Sequence, residues 1–462
     1  MRTTHLLAAM AGAALLAGCG GPAADDSPRR AEAAPLHEAV AQLTRVMVYD
    51  IFSPPQASRA YAYASVAAYE ALRQGDPRFR SLAGQVNGLA PVPAPPADSL
   101  SLPLAGVHAF MTVGRQLTFS RDRMDSLRTA LDERYRGAMS EAVFARSVAY
   151  GDTVAAHVLA WAAGDGFTRS RGMPKYSVTA AAGRWVPTPP AYMDAVEPNW
   201  AALRPFALDS AGQFRPAPPF PFDTVRTSPF FREVLEVYEV QRTLTDEQRE
   251  ITAFWDCNPY VMNVQGHTMF ATKKITPGGH WMSVVGIAAR KADVGLVASA
   301  EAYARTAMVL ADGFISVWEE KFRSNVIRPE TMINAYVDER WQPLLQTPPF
   351  PEYTSGHSTI STAAAVVLTD LFGDGFAYAD SSELEYGLPV RSFPSFTQAA
   401  SEAAMSRLYG GIHYRRAIEE GVVQGRGVGT QLVRRVSTRA DRAPAAGTIA
   451  HGATALRPRS GP

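Results

Sequence analysis

Apolar residues at helical spacing recur along nearly the whole 462-residue chain, and no segment alternates convincingly enough to supply the strands of a sheet. Leu36, Val40, Leu43, Met47 and Ile51 set the pattern. Ser53-Pro54-Pro55 then ends one helix and opens the next, with Ser53 as the cap and proline in a first turn that needs no N–H donor. Residues 56–73 are rich in Ala and Tyr, which suits close packing against neighbouring helices. Helical segments are also expected at 104–136 (with a break) and at 140–163, 231–242 and 247–254, the last opened by a capping box of Thr245 and Gln248. After a turn at Pro277–His280, long helical stretches run to Trp318, and 358–372, 397–405 and 417–436 complete the pattern. The fold class this predicts is all-α: helical bundles joined by long Pro-rich loops. The longest loop, 168–228, carries many prolines and aromatics, and a loop of that length in a compact fold has a job or packs as a cover.

Composition narrows the function classes. Hydrophobic content of 47% against 19% charged residues describes a globular core and excludes a disordered chain. The net charge of +1, from 45 basic and 44 acidic residues, gives no bulk signal for nucleic acid. Met1-Arg2 precedes an apolar run from Leu6 to Ala17 that is too short to span a bilayer and reads as a secretory signal over residues 1–18. It closes on Leu16-Ala17-Gly18-Cys19, which resembles a lipobox with Cys19 as the lipidated residue; an ordinary signal with an incidental cysteine is the alternative. The expectation is an exported protein held to a membrane only by its lipid anchor, with a tether at 19–35, one helical domain at 36–436 and a disordered tail at 437–462. Cys257, then the one cysteine left, reads as a packed thiol.

Chemistry concentrates in three segments. Lys321 and Arg328 are seven residues apart, two helical turns, and would share a face if the helix persisted. Ser355, Gly356 and His357 open a helix whose N–H groups and dipole favour an anion. Arg407 and His413 straddle Gly410-Gly411, a bend that lets both converge. Singly, these read as a solvated basic face, a serine cap beside a surface histidine, and a core histidine. Together they supply three cations, a hydroxyl, a backbone N–H and two titratable imidazoles, the inventory a buried tetrahedral oxyanion requires.

Lysine, six residues, Arg-Pro; Ser-Gly-His; Ser-Arg, five residues, His: this order resembles the superfamily of vanadium-dependent haloperoxidases and type 2 phosphatidic acid phosphatase-like acid phosphatases, with the match covering residues 318–421. The chain looks most like the soluble bacterial haloperoxidase branch, whose fold is helical bundles. The resemblance implies that Lys321, Arg328, Ser355, Gly356 and Arg407 hold the oxygens of vanadate, or of phosphate as substrate or occupant. It implies that His413 is the axial vanadium ligand, or the phosphorylated nucleophile of a phosphatase, and that His357 is the acid–base. The partners implied are hydrogen peroxide, a halide and a small organic acceptor, or alternatively a phosphoester; a non-catalytic oxyanion-binding lipoprotein is a third reading. Trp318 and Phe350 resemble the aromatics of chloroperoxidase-type relatives and are candidates for halide tuning, although core packing also explains them. Helical-bundle enzymes of this sort are often homo-oligomers.

The chain departs from the pattern at Thr354, where proline is usual, and at Ala417, where many relatives carry an Asp that orients the histidine. Loss of such a partner costs ~10–100-fold in metal affinity or activity, and it counts more against phosphatase chemistry than against vanadate binding. Glu419, Glu420 or a carbonyl could replace it, and whether Arg415 and Arg416 face the site is open. His267 and His280 lack a complete ligand set and read as hydrogen-bonding residues rather than a second metal site. Asp256 is a candidate channel-lining residue.

Overall fold

The computed structural model describes residues 28–179 and 181–441. The expected signal and Cys19 lie outside these residues. The order of elements is α1 (Pro28–Tyr49), α2 (Pro54–Leu72), α3 (Leu102–Leu117), α4 (Arg121–Arg136), α5 (Glu141–Ala163), α6 (Phe167–Arg171), α7 (Pro229–Arg242), α8 (Asp246–Phe254), β1 (Met262–Gln265) and β2 (Thr268–Ala271). It continues through α9 (Pro277–Lys291), α10 (Leu296–Ser324), α11 (Pro329–Tyr336), α12 (Gly356–Phe372), β3 (Tyr378–Asp380), β4 (Arg391–Phe393), α13 (Phe396–Tyr409) and α14 (Arg415–Arg435). The all-α expectation holds: the four strands make only two short antiparallel ribbons, β1–β2 and β3–β4. Among the described residues no helix is long and apolar enough to cross a membrane.

At the centre is α10, 29 residues and so about 43 Å long, with α2, α12 and α14 packed against it. Small side chains allow the tight spacing. Along α14, Ala417, Gly421, Gly425 and Gly429 recur every fourth residue, a single helical face. A Cβ on Gly425 would sit 2.2 Å from the Thr359 carbonyl oxygen of α12, so only glycine fits there. This close approach also brings the Ser355 N–H onto the Ala417 carbonyl at 2.9 Å, which fixes the start of α12. One apolar cluster runs from Ala33 to Val436, and a smaller one joins Val234 and Val237 of α7 to Ile333, Leu408 and Ile418.

The long 168–228 segment is a cover with an anchor. The N–H groups of Phe206, Ala207 and Leu208 donate to the carboxylate of Asp312, buried in α10. Trp318 donates to the Val196 carbonyl at 3.1 Å, and Arg184 pairs with Val326 in the link between α10 and α11.

Four boundaries differ from expectation. Residues 28–35 of the expected tether already belong to α1, because Ala31, Glu32, Ala33 and Ala34 are good helix formers and Ala33 is buried. Residues 437–441 of the expected tail are docked, with Thr438 and Arg439 bound to the buried Glu301; only 442–462 lie outside the described residues. Pro277–His280 is the first turn of α9, capped by Thr276, not a free turn. Lys321 and Arg328 do not share a helix: α10 ends at Ser324, Asn325 turns left-handed (φ 50°), and Arg328 becomes the residue before α11.

Candidate active site

Four chain segments meet at one small cavity of about 40 Å³, walled by Tyr260, Phe314, Trp318, Phe350, His357 and His413. Ser355 caps α12 by accepting the Ser358 N–H, and the first turn then presents Gly356 and His357 to the cavity. A Cβ on Gly356 would meet nothing within 4 Å, so the backbone there stands open.

His357 is tied to the Trp255 backbone, and its buried Nε2 has no hydrogen-bond partner. Burial, then the Arg407 charge, holds its pKa well below the usual histidine value, so the ring is neutral. Arg407, in the last turn of α13, donates to the same Trp255 carbonyl at 2.7 Å and to Ser406 Oγ at 2.9 Å. Burial brings its pKa down to about 10, still charged at neutral pH.

Arg328 donates through Nε to the Phe350 carbonyl (2.9 Å) and through Nη1 to the Ile412 carbonyl (2.8 Å) and His413 Nε2 (3.2 Å). Its Nη2 is buried without a partner. Lys321 is used differently: Nζ meets the carbonyls of Pro351 (3.1 Å), Glu352 (3.0 Å) and Thr354 (2.5 Å), which accounts for all three of its protons. It clamps the loop before α12 and contributes charge rather than a free donor. Phe350 packs against both cations, with Lys321 Nζ 5.2 Å and Arg328 Cζ 5.1 Å from its centroid and the Trp318 ring at 4.9 Å.

His413 resolves the question raised by Ala417. Its Nδ1 lies 2.7 Å from Glu352 Oε1, which also accepts the Tyr414 N–H at 3.0 Å. The orienting carboxylate is therefore Glu352, not Glu419 or Glu420: Glu419 is exposed and Glu420 accepts from the Ala217 N–H. An imidazole donating Nδ1–H to Glu352 presents Nε2 as a lone pair towards Arg328. Burial, then Arg328 and Lys321, keeps this histidine neutral, well below its usual value. Burial pushes Glu352 up to about 8 against the opposing pull of Arg328 and Lys321. Glu352 is the sole acidic residue in the 347–361 stretch, a signal that could have found it. The Trp255 carbonyl had no comparable signal.

Thr354, the other departure, donates to Gln424 of α14 at 2.6 Å. The side chain of Arg415 donates to Glu236 of α7 and that of Arg416 to the Pro218 carbonyl, while the Arg416 N–H donates to Glu233. Asp256 lines the cavity wall as expected and pairs with Lys274. His267 is exposed at the β1–β2 turn and does not join His280, which is buried between Asp380 and Glu383.

The site is thus a buried, cation-rich pocket with a free donor at Arg328 Nη2, an unpartnered ring nitrogen at His357 Nε2, an open backbone at Gly356 and a lone pair at His413 Nε2. That donor set fits a tetrahedral oxyanion and defines an oxyanion-binding helical-bundle enzyme. Comparison with known proteins specifies it. The family model of the VCPO second helical-bundle domain matches residues 301–442. The crystal structure of a bacterial vanadium-dependent iodoperoxidase is 49% identical, covers 89% of this chain and 98% of its own, and superposes with a TM-score of 0.85. Holo- and apo-type bacterial vanadium-dependent chloroperoxidases share the fold, at 17% and 18% identity and a TM-score of 0.62 each, over 83% and 81% of this chain and 92% of theirs. No curated protein matches the chain. The chain belongs to the vanadium-dependent haloperoxidases, peroxidase-type oxidoreductases.

Proposed function

We propose that this haloperoxidase uses vanadate to oxidise iodide with hydrogen peroxide, releasing hypoiodous acid to a small organic acceptor. The observation that carries the halide is the 49% identity to an iodoperoxidase across 98% of that protein. Vanadate, when bound, supplies the electrophilic activation of peroxide. The chain's own residues hold and tune it: His413 Nε2 as the vanadium ligand, Arg328, Arg407, Ser355 and the Gly356 backbone on the oxygens, and Lys321 as a fixed charge behind them. Glu352 keeps His413 Nδ1 protonated and its Nε2 available. His357, with an unpartnered Nε2 at the cavity, takes and returns the peroxide proton. Trp318 and Phe350 exclude water where halide enters, and bear on halide choice.

Phosphate fits the same cradle, and the argument from Ala417 against a phosphatase falls once Glu352 takes that role. The preference for peroxidase chemistry then rests on the relatives. Iodide oxidation by the full-length protein, with and without orthovanadate in phosphate-free buffer, tests it. Turnover that requires vanadate supports the reading; hydrolysis of a phosphomonoester with no vanadate-dependent iodide oxidation contradicts it. Export and lipidation at Cys19 are proposed from residues 1–19 alone, and lipid labelling that survives Cys19→Ser would refute them.

A further inference from the structure

Beside Trp255, adjoining the oxyanion cavity whose wall includes Cys257, lies a second cluster to which the proposed haloperoxidase chemistry gives no role. His280 stacks on the Trp255 ring at 4.5 Å between centroids and 17° between planes. Its Nδ1 faces Cys257 Sγ at 3.4 Å and Glu383 Oε1 at 2.9 Å, and Sγ and Oε1 are 3.9 Å apart. All three residues are buried. Its Nε2 lies 2.9 Å from Asp380 Oδ2, and the other oxygen of Asp380 is held by the Ser382 N–H (3.0 Å) and hydroxyl (2.6 Å).

We propose that Cys257, His280 and Glu383 bind a divalent transition-metal ion of the zinc class, with Asp380 holding His280 in the ligating tautomer. The spacing is that of a tetrahedral face. Bonds of about 2.3 Å to sulfur and about 2.0–2.1 Å to nitrogen and oxygen place ligand atoms about 3.4–3.6 Å apart, within about half an ångström of each distance observed. The donor set of thiolate, imidazole and carboxylate selects zinc-like ions over calcium or magnesium, which prefer all-oxygen shells. Asp380 supplies the outer contact typical of a metal-bound histidine: accepting Nε2–H, it leaves the Nδ1 lone pair directed at Cys257 and Glu383. Three protein ligands leave one tetrahedral position for water. Charge agrees, since Asp380 and Glu383 are buried with His280 as their only ion-pair partner among the described residues. The ligands come from the end of α8, the first turn of α9 and the segment after β3, so an ion would tie together the elements around Trp255, whose carbonyl anchors Arg407.

The test is metal analysis of the full-length protein equilibrated with Zn²⁺ and dialysed, with vanadium quantified separately, alongside the absorption spectrum after Co²⁺ substitution. The site predicts one Zn²⁺ per chain and a thiolate-to-cobalt charge-transfer band. Both vanish in Cys257→Ser, and Asp380→Asn weakens Zn²⁺ binding by ~10–100-fold. A folded wild-type protein that retains no Zn²⁺ and shows no such band overturns the proposal and leaves His280 as a protonated bridge between two carboxylates. Because the wild-type spectrum decides, failure of a variant to fold leaves the test intact. Metal retained equally by Cys257→Ser also overturns it.

Discussion

Two neighbouring clusters at Trp255 differ in buried charge. Towards the cavity, Lys321, Arg328 and Arg407 are at most 1% exposed, yet they hydrogen-bond only to carbonyls, a hydroxyl and an imidazole. Beside the ring, two buried carboxylates and a thiol surround a single imidazole. Elsewhere buried charge is matched directly, as where Arg305 meets Asp370 or Arg439 meets Glu301. Burying an ion costs several kcal/mol unless a counter-charge compensates. Three buried cations around one buried acid, Glu352, suit an oxyanion, and two carboxylates and a thiol around His280 suit a cation.

The largest effect should come from His413→Ala, which removes the proposed vanadium ligand. Vanadate affinity and iodide turnover should fall by more than the ~10–100-fold typical of losing an outer partner, and a variant with unchanged vanadate titration would break the assignment. Glu352→Gln keeps the shape but loses the carboxylate on Nδ1, so its loss should lie within ~10–100-fold. Glu420→Gln, parallel in sequence but directed at Ala217, should leave turnover unchanged in the same assay.

Counter-charge should also show as stability. Orthovanadate at a hundred times its Kd should stabilise the folded protein by about 2.7 kcal/mol, seen as a raised Tm that phosphate reproduces at higher concentration. A Tm indifferent to both anions would mean the cations are compensated in some other way.

The smallest effect is the pH dependence. His357 and His413 are held neutral by burial and by neighbouring cations, so their folded pKa values lie below the unfolded one. The unfolded state then takes up protons first, and the stability they contribute is complete above about pH 6.5 and lost as pH falls, by up to about 1.4 kcal/mol per pH unit for each group. His37, lowered to about 3 mainly by burial, adds to the same slope. Vanadate on His413 Nε2 would compete with the proton there, so the stabilisation it gives should shrink as pH falls from about 6.5 to 5. Parallel curves for the two forms would place the anion elsewhere.

Residues adjacent in sequence were the legible part of this site. Ser355, Gly356 and His357 act through one helix start, and Arg407 and His413 through one bend, so their motifs carried them. Lys321 was legible as a cation but not as a clamp, because its three acceptors lie about thirty residues away. Glu352 was overlooked for the same reason. The acids nearest His413 in the following helix are Glu419 and Glu420, whereas the chain supplies the carboxylate from the loop before α12. The helices were readable from period and caps, as at Thr245, whose capping box is present with both hydrogen bonds. Pro277-Gly-Gly misled because proline and glycine mark turns, yet proline also suits a helix's first turn. The packed 168–228 segment was visible in its aromatic content, but its anchor, Asp312, lies about a hundred residues downstream and has no local pattern.

The most direct measurement is a titration of vanadate-free protein with orthovanadate in phosphate-free buffer, reading iodide oxidation at each addition. The account predicts activity that rises linearly to one vanadate per chain and then stays level, with phosphate competing. Activity already complete before vanadate is added, or absent at every vanadate concentration, would contradict it.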